Sequence, residues 1–186
     1  LKKIGAMIGS GGLVVMDEDT CMVETARFFM KFTQNESCGK CVPCREGTRR
    51  MLEILERIVA NEGTLEDLDL LDELSRTITE TALCGLGQTA PNPVLTTIKY
   101  FRNEYEDHIC NKKCTAKSCK ALIKFDITDA CKGCTLCSKK CPVGAITGEV
   151  KGMHVIDQDK CIGCGKCAKN CPVDAISRTD YVAPGH

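Results

Sequence analysis

The chain has 186 residues, of which 43% are hydrophobic and 27% charged, a composition typical of a folded globular protein rather than a disordered or fibrous one. Its 25 basic and 25 acidic side chains leave no net charge, which argues against attraction to nucleic acid or to an anionic membrane surface. No apolar run reaches the roughly 20 residues of a membrane helix, and no secretory signal opens the sequence. We therefore predict a cytoplasmic protein without direct membrane insertion.

Residues 1–19 form a glycine-rich stretch with one short apolar run from Gly12 to Met16, which favours a strand end. The first residue is Leu1 rather than a methionine. We therefore expect this stretch to be a connector from a missing upstream domain. The cluster "GSGG" lacks both the G-x-G-x-x-G spacing and the lysine of a phosphate-binding loop, so a flexible turn is favoured over a nucleotide site.

Residues 20–108 have the periodicity of amphipathic helices, with apolar residues recurring every three or four positions in four segments. Thr64 and Asp67 have the spacing of a capping box before the third segment, and Asn92 and Pro93 supply a cap and a first-turn proline for the fourth. Four helices joined by short loops predict an antiparallel four-helix bundle. The residues predicted to face its core are Met22, Val23, Ala26, Phe29, Met30, Met51, Leu52, Leu55, Ile58, Val59, Leu68, Leu71, Leu74, Val94, Ile98, Phe101 and Tyr105.

Residues 129–186 contain an internal repeat, "CKGCTLCSKKCP" at 131–142 and "CIGCGKCAKNCP" at 161–172. Each copy has the C-x2-C-x2-C-x3-C-P spacing of bacterial two-cluster ferredoxins, in which the fourth cysteine of a run ligates the other cluster. The predicted [4Fe-4S] ligand sets are Cys131, Cys134, Cys137 and Cys171 for one cluster, and Cys141, Cys161, Cys164 and Cys167 for the other.

A third cluster site is predicted in the helical region. The segment "ESCGKCVPCREG" has the same C-x2-C-x2-C turn, and one remote cysteine follows in "ALCGLGQTAPNP". Three thiolates from one loop and one from another complete the ligand set of a [4Fe-4S] cluster. The predicted fold class is thus α+β, a four-helix bundle carrying one [4Fe-4S] cluster followed by a bacterial two-cluster ferredoxin-like domain. The ligands of the bundle cluster are predicted to be Cys38, Cys41, Cys44 and Cys84.

Two other uses of the 16 cysteines are less favoured. Disulfide-rich scaffolds are usually short secreted proteins, and cysteines separated by two intervening residues converge on one point, which suits a metal better than pairing with distant cysteines. Zinc sites with four cysteines also use C-x2-C spacings. However, each copy of the repeat combines three closely spaced cysteines with a remote fourth, and this arrangement favours iron–sulfur clusters.

The motifs "ESCGKCVPCREGT" and "CGLGQTAPNPVLTTIKYFRNEYEDHI", together with the opening "GSGGLVVMD", resemble the carboxyl-terminal region of one flavoprotein family. This is the NADH-binding subunit shared by respiratory complex I and by soluble NAD(P)-linked hydrogenases and formate dehydrogenases. With its two-cluster tail, the chain resembles the beta subunit of an NAD(P)-dependent or electron-bifurcating [FeFe]-hydrogenase. The resemblance implies FMN and NAD(P) sites in the missing upstream part, ferredoxin as electron carrier, and other subunits of a hydrogenase-type complex as partners. It assigns no flavin, nicotinamide or catalytic residue within this sequence.

Four cysteines lie outside these cluster sets, and three of them fall in "HICNKKCTAKSCKAL" within a predicted linker, residues 109–128. Three sulfurs and one imidazole suit tetrahedral zinc, and the resemblance implies a zinc site in this linker without identifying its ligands. His154 is a rival nitrogen ligand, and Cys21, which has no partner at a useful spacing, is predicted to pack as a small apolar residue. The predicted zinc ligands are His108, Cys110, Cys114 and Cys119.

These sites predict an electron relay. Four-cysteine clusters change charge by one electron and have no open coordination position for a substrate. We therefore predict a segment of an NAD(P)H-linked oxidoreductase, part of a multisubunit enzyme, that relays electrons between flavin, ferredoxin and partner-subunit clusters. The alternatives are the beta subunit of an NAD-dependent formate dehydrogenase, a free-standing ferredoxin-like carrier and a structural zinc-binding module.

Overall fold

The computed structural model describes residues 12–180. Most of the predicted connector, residues 1–11, lies outside these described residues. The described chain is rich in helices up to residue 109 and carries short strands after it. Among its helices, none is both long enough and apolar enough to cross a membrane.

Seven α-helices and four β-strands make up the regular structure between residues 12 and 180. The helices are α1 (Met22–Glu36), α2 (Thr48–Val59), α3 (Glu66–Thr81), α4 (Gly85–Thr89), α5 (Asn92–Ile109), α6 (Leu136–Lys140) and α7 (Lys166–Lys169). The strands are β1 (Ile123–Ile127), β2 (Ile146–Thr147), β3 (Val155–Ile156) and β4 (Ile176–Asp180). A π-helical turn (Pro43–Gly47) leads directly into α2, and a 3-10 turn (Lys120–Leu122) precedes β1.

The long helices α1, α2, α3 and α5 share one apolar core. Helix α1 packs against α2 and α5, and α3 packs against both α2 and α5. Most of the residues predicted to face this core are buried, but the prediction for Phe101 is wrong because its side chain is 41% exposed. Its backbone angles (φ −132°, ψ 35°) interrupt α5, and this break takes Phe101 off the buried stripe that Val94 and Tyr105 share.

The start of α3 is fixed by a buried carboxylate. Asp67 accepts a hydrogen bond from the backbone N–H of Thr64 at 2.8 Å. This is one of the two reciprocal hydrogen bonds of a capping box, the one made by the side chain three residues after the cap. Asp67 also forms an ion pair with Arg57 in α2. This pair ties the end of one helix to the beginning of the next.

The ferredoxin-like part has pseudo-twofold symmetry. Strand β1 pairs antiparallel with β4, and β2 pairs antiparallel with β3. Strand β1 lies within residues 109–128, the predicted linker, and yet pairs with β4 after the second cysteine run. Its burial alternates, since Ile123, Phe125 and Ile127 are buried in the core that both sheets share.

Candidate iron–sulfur and metal sites

Two cavities in the ferredoxin-like part bring together the two predicted cysteine sets. The lining of the first cavity includes Cys131, Cys134, Cys137 and Cys171. The lining of the second includes Cys141, Cys161, Cys164 and Cys167. Each cavity therefore takes three cysteines from one run and the fourth from the other run. This is the crossed arrangement that the spacing predicts for two [4Fe-4S] clusters.

The loops that carry these cysteines leave no room for side chains at two glycines. Gly133 has φ +66°, and a Cβ atom there would lie 2.5 Å from the backbone nitrogen of Gly152. Gly163 has φ +62°, and a Cβ atom there would lie 2.3 Å from the carbonyl oxygen of Lys120. Both positions combine left-handed backbone with a close approach of another segment, so only glycine is accommodated without strain.

The sulfur environments in the two cavities are also alike. The backbone N–H of Ala145 donates to Cys141 Sγ, and that of Ala175 donates to Cys171 Sγ, each at 3.3 Å. Hydrogen bonds to sulfur stabilise the reduced, more negative state of a cluster. Burial raises the pKa of Cys137 and of Cys167, so a bound cationic iron centre would be needed to keep these thiols deprotonated. The donor set and its surroundings fit an iron–sulfur cluster.

The third predicted cysteine set is divided between residues 38–44 and Cys84, and the π-helical turn that carries Cys44 contacts both α3 and α4, the helices that flank Cys84. A hydrogen bond from the backbone N–H of Leu83 is the largest influence that lowers the pKa of the Cys41 thiol, and Arg45 contributes further. Leu83 directly precedes Cys84 in the sequence. Ser37 Oγ lies 3.3 Å from Cys44 Sγ and can donate to it as a thiolate.

Helix α4 packs closely against Cys44 of this set at a position occupied by glycine, Gly87. A Cβ atom on Gly87 would lie 2.6 Å from Ala82 Cβ and 3.2 Å from Cys44 Cβ. The missing side chain therefore allows the helix that follows Cys84 to pack on buried Cys44. Cys38 and Cys84 are exposed, and the apolar side chains Val42 and Leu83 near them in the chain are 58% and 76% exposed.

A separate group of four ligand atoms converges between α1, α5 and the segment after α5. The ligand atoms of Cys21, His108, Cys114 and Cys119 all lie within 4.8 Å of one another, and all four residues are buried. Cys21 Sγ lies 3.3 Å from His108 Nε2 and 3.7 Å from Cys119 Sγ, and His108 Nε2 lies 3.4 Å from Cys119 Sγ. A zinc tetrahedron with ordinary bond lengths has edges of about 3.8 Å between two sulfurs and about 3.6 Å between sulfur and nitrogen. The group therefore has the dimensions of a single tetrahedral metal site.

The imidazole in this group is held in the orientation of a metal ligand. His108 Nδ1 lies 2.7 Å from the carbonyl oxygen of Glu104 and donates to it, which leaves Nε2 free toward the sulfurs. Burial by itself lowers the pKa of His108, but hydrogen bonds to Cys114 and Cys21 outweigh burial and raise it to about 10. The group thus favours a positive charge at its centre, which a metal ion supplies.

The structure corrects three predictions about these ligands. Cys110 is exposed and lies outside the group, because it follows His108 by two positions at the end of α5 and such residues do not share a helix face. Cys21 takes its place and is therefore not a mere packing residue. It caps α1 by accepting the backbone N–H of Glu24 at 3.4 Å. His154 is not part of the group either, since it lines the first ferredoxin cavity.

Comparison with known proteins matches both parts of the chain. Residues 24–108 match the family described as "NADH-ubiquinone oxidoreductase-F iron-sulfur binding region". Residues 24–108 are thus similar to the iron–sulfur region of the flavoprotein family that the sequence motifs resemble. Residues 125–147 and 154–177 match the family described as "4Fe-4S binding domain". The resemblance stated from the sequence motifs is thereby confirmed.

Relatives of the flavoprotein family are similar over much of this chain. The NADP-reducing hydrogenase subunit HndC of Solidesulfovibrio fructosivorans is 55% identical over 150 residues, which is 80% of this chain and 31% of the relative. One NADH-quinone oxidoreductase subunit, from Streptomyces coelicolor, is 39% identical over 125 residues, which is 67% of this chain and 28% of the relative. The chain thus spans about a third of the length of these curated relatives.

One solved structure is similar as well, that of an NAD+-reducing [NiFe]-hydrogenase in the H2-reduced state. It is 35% identical with a TM-score of 0.50, and the match covers 51% of this chain and 17% of that one.

Proposed function

We propose that this chain is the electron-transfer segment of an NAD(P)H-linked oxidoreductase of hydrogenase type, with three [4Fe-4S] clusters. The bundle cluster is held by Cys38, Cys41, Cys44 and Cys84, and the two tail clusters by the sets that line the two ferredoxin cavities. The observation that carries the proposal is that each cavity joins three cysteines of one run to the fourth cysteine of the other. Each cluster, when bound, takes up or releases one electron without opening a coordination position.

The residues of the chain supply the environment for this transfer. Backbone N–H groups of Ala145 and Ala175 hydrogen-bond to cluster ligands, and the isoleucines of both sheets limit access of water to the cavities. At the bundle site, exposed Cys38 and Cys84 leave one edge open, so that a flavin or another cluster can come near. Because electron transfer needs proximity and little rearrangement, a rigid scaffold with one open edge suits a relay.

The relatives support the assignment to a larger enzyme. Those named above are subunits of a hydrogenase and of an NADH-quinone oxidoreductase, which favours this assignment over a formate dehydrogenase, a free-standing carrier or a zinc module. We propose that FMN and NAD(P) bind in an upstream part of the parent subunit, that ferredoxin is an electron carrier, and that the other partners are subunits of a cytoplasmic, electron-bifurcating complex. We also propose that α1, α2, α3 and α5 form the predicted four-helix bundle.

We further propose that Cys21, His108, Cys114 and Cys119 hold one structural zinc ion. Three thiolates and one imidazole, all buried, form a closed site of the structural kind. Zinc there would join the start of α1 to the end of α5 and to the segment that leads into β1. The ion would thus fix the ferredoxin-like part against the helical part without taking part in electron transfer.

The test is a count of clusters followed by paired substitutions in the full chain. Iron analysis and spin quantification by EPR of the reduced protein should find three [4Fe-4S] clusters. Cys171→Ser and Cys134→Ser should then abolish one and the same EPR signal, and Cys141→Ser should abolish a different signal together with Cys164→Ser. Fewer than three clusters, or pairing of Cys171 with Cys164, would contradict the proposal.

A further inference from the structure

The cysteine loops of the two ferredoxin cavities pack against equivalent segments of the repeat. Gly133 and Gly163 occupy the same position in the two cysteine runs. A Cβ atom on Gly133 would meet the backbone of Gly152, shortly before β3, and one on Gly163 would meet the backbone of Lys120, shortly before β1. Each loop therefore lies directly on the backbone of a turn that leads into a strand.

The turn against the loop of the first cavity is closed by its own backbone. Gly152 donates its N–H to the carbonyl oxygen of Glu149, and Lys151 donates its N–H to the carbonyl oxygen of Gly133, each at 3.0 Å. The turn connects β2 to β3, and both bonds link it to itself or to the first cysteine run. The first loop is thus supported from within the ferredoxin-like part.

The turn against the loop of the second cavity begins instead at a predicted metal ligand. The metal group consists of Cys21, His108, Cys114 and Cys119. In the 3-10 turn, Leu122 donates its backbone N–H to the carbonyl oxygen of Cys119 at 3.0 Å. Cys119 is buried, and its Sγ lies 3.7 Å from that of Cys21. The carbonyl group that meets Gly163 therefore belongs to Lys120, the residue that directly follows a member of the metal group.

This turn also joins the two cores of the molecule. Leu122 is buried in the core of the helical part, and Ile123 is buried in that of the ferredoxin-like part. Cys119 and Lys120 share one planar peptide unit, which has no soft rotation of its own. The position of the Cys119 backbone therefore constrains where the Lys120 carbonyl group lies, and this carbonyl group contacts the second cysteine loop.

We propose that the metal group positions the loop of the second cavity through the turn Lys120–Leu122, so that its zinc ion selectively stabilises the cluster in that cavity. This inference rests on the proposed function, because it needs zinc in the metal group and a cluster in each cavity. Without zinc, no bonds hold Cys119 to its three partners, and the turn that follows it gains freedom. The loop around Gly163 then loses a fixed surface, whereas the loop around Gly133 keeps its own.

The test compares the lifetimes of the two clusters in the full, cluster-loaded chain. Cys21→Ser removes zinc, and Cys110→Ser, which alters an exposed cysteine outside the metal group, keeps it. Each protein is held without oxygen at one temperature below its melting point, and the EPR signals of reduced samples are quantified over time. The signal of the first cavity is the one that Cys171→Ser abolishes, and that of the second is the one that Cys164→Ser abolishes.

Cys21→Ser should contain all three clusters as prepared but lose the one in the second cavity faster on incubation. We expect its EPR signal to decay about tenfold faster than in the wild type, the lower end of what the loss of an outer-shell contact costs a metal site. The signal of the first cavity should decay at the wild-type rate. Both signals in Cys110→Ser should decay as in the wild type.

A second measurement needs no substitution. A zinc-selective chelator, applied to the wild type without oxygen, should shorten the lifetime of the second signal, and added zinc should restore it. This measurement decides if Cys21→Ser does not fold. The inference is overturned if zinc removal shortens both lifetimes equally, shortens only the first, or changes neither. A wild type without zinc, or with fewer than three clusters, contradicts the proposed function instead, and elemental analysis shows this before incubation begins.

Discussion

Replacing Cys21 with serine should remove zinc from the chain, whereas replacing Cys110 should leave it in place. Cys21 Sγ lies 3.3 Å from His108 Nε2 and 3.7 Å from Cys119 Sγ, whereas Cys110 is exposed at the end of α5. Structural zinc sites contribute about 10–16 kcal/mol through four ligands. The loss of one ligand should therefore cost about 3 kcal/mol, or roughly a hundredfold in zinc affinity.

Serine is the informative replacement because it separates the two roles of Cys21. The sulfur accepts the backbone N–H of Glu24 at 3.4 Å and so caps α1, and serine is a preferred residue at this position. The Cys21→Ser variant should thus keep its helix while losing a metal ligand. Cys110→Ser makes the same chemical change nearby and serves as the matched control.

The assay is zinc and iron per chain by elemental analysis, with zinc affinity measured by competition against a chelator. We expect Cys21→Ser to lose zinc and to keep the iron of all three clusters. The reasoning would be refuted if Cys110→Ser lost zinc while Cys21→Ser retained it. Loss of iron in Cys21→Ser would instead assign this cysteine to a cluster.

Two further substitutions test the helical part. Gly87→Ala should lower the iron content of the bundle cluster and the melting temperature, because its Cβ would lie 2.6 Å from Ala82 Cβ and overpacking of this kind costs about 1–3 kcal/mol. The control Gly85→Ala, whose Cβ would have nothing within 4 Å, should behave like the wild type. Equal iron content in the two variants would contradict this packing. Tyr105→Phe should lower the free energy of unfolding by about 1 kcal/mol, since it removes a part-buried hydrogen bond of 2.8 Å to Thr97. Thermal denaturation checks this value, and a stabilised variant would show that the bond contributes nothing.

Local spacing predicted the linings of the two ferredoxin cavities because most of the cysteines in each set lie in a single loop. Cysteines separated by two intervening residues, as in 131–137 and 161–167, meet in one turn whatever the rest of the fold does. The internal repeat also predicted which remote cysteine joins each set, and the two cavities have these linings. The break in α5 at Phe101 could not be predicted, because the apolar period of the sequence continues through it.

The sequence by itself thus determined the chemistry of this protein, an iron–sulfur relay with a separate group of soft metal ligands. Only the tertiary structure decided which cysteine completes that group, because Cys21 and His108 meet through the packing of α1 on α5. It also placed His154 in the lining of the first ferredoxin cavity rather than in that group. Contacts between residues far apart in the chain depend on how whole helices and strands pack, and this packing cannot be read from the spacing of residues along the sequence.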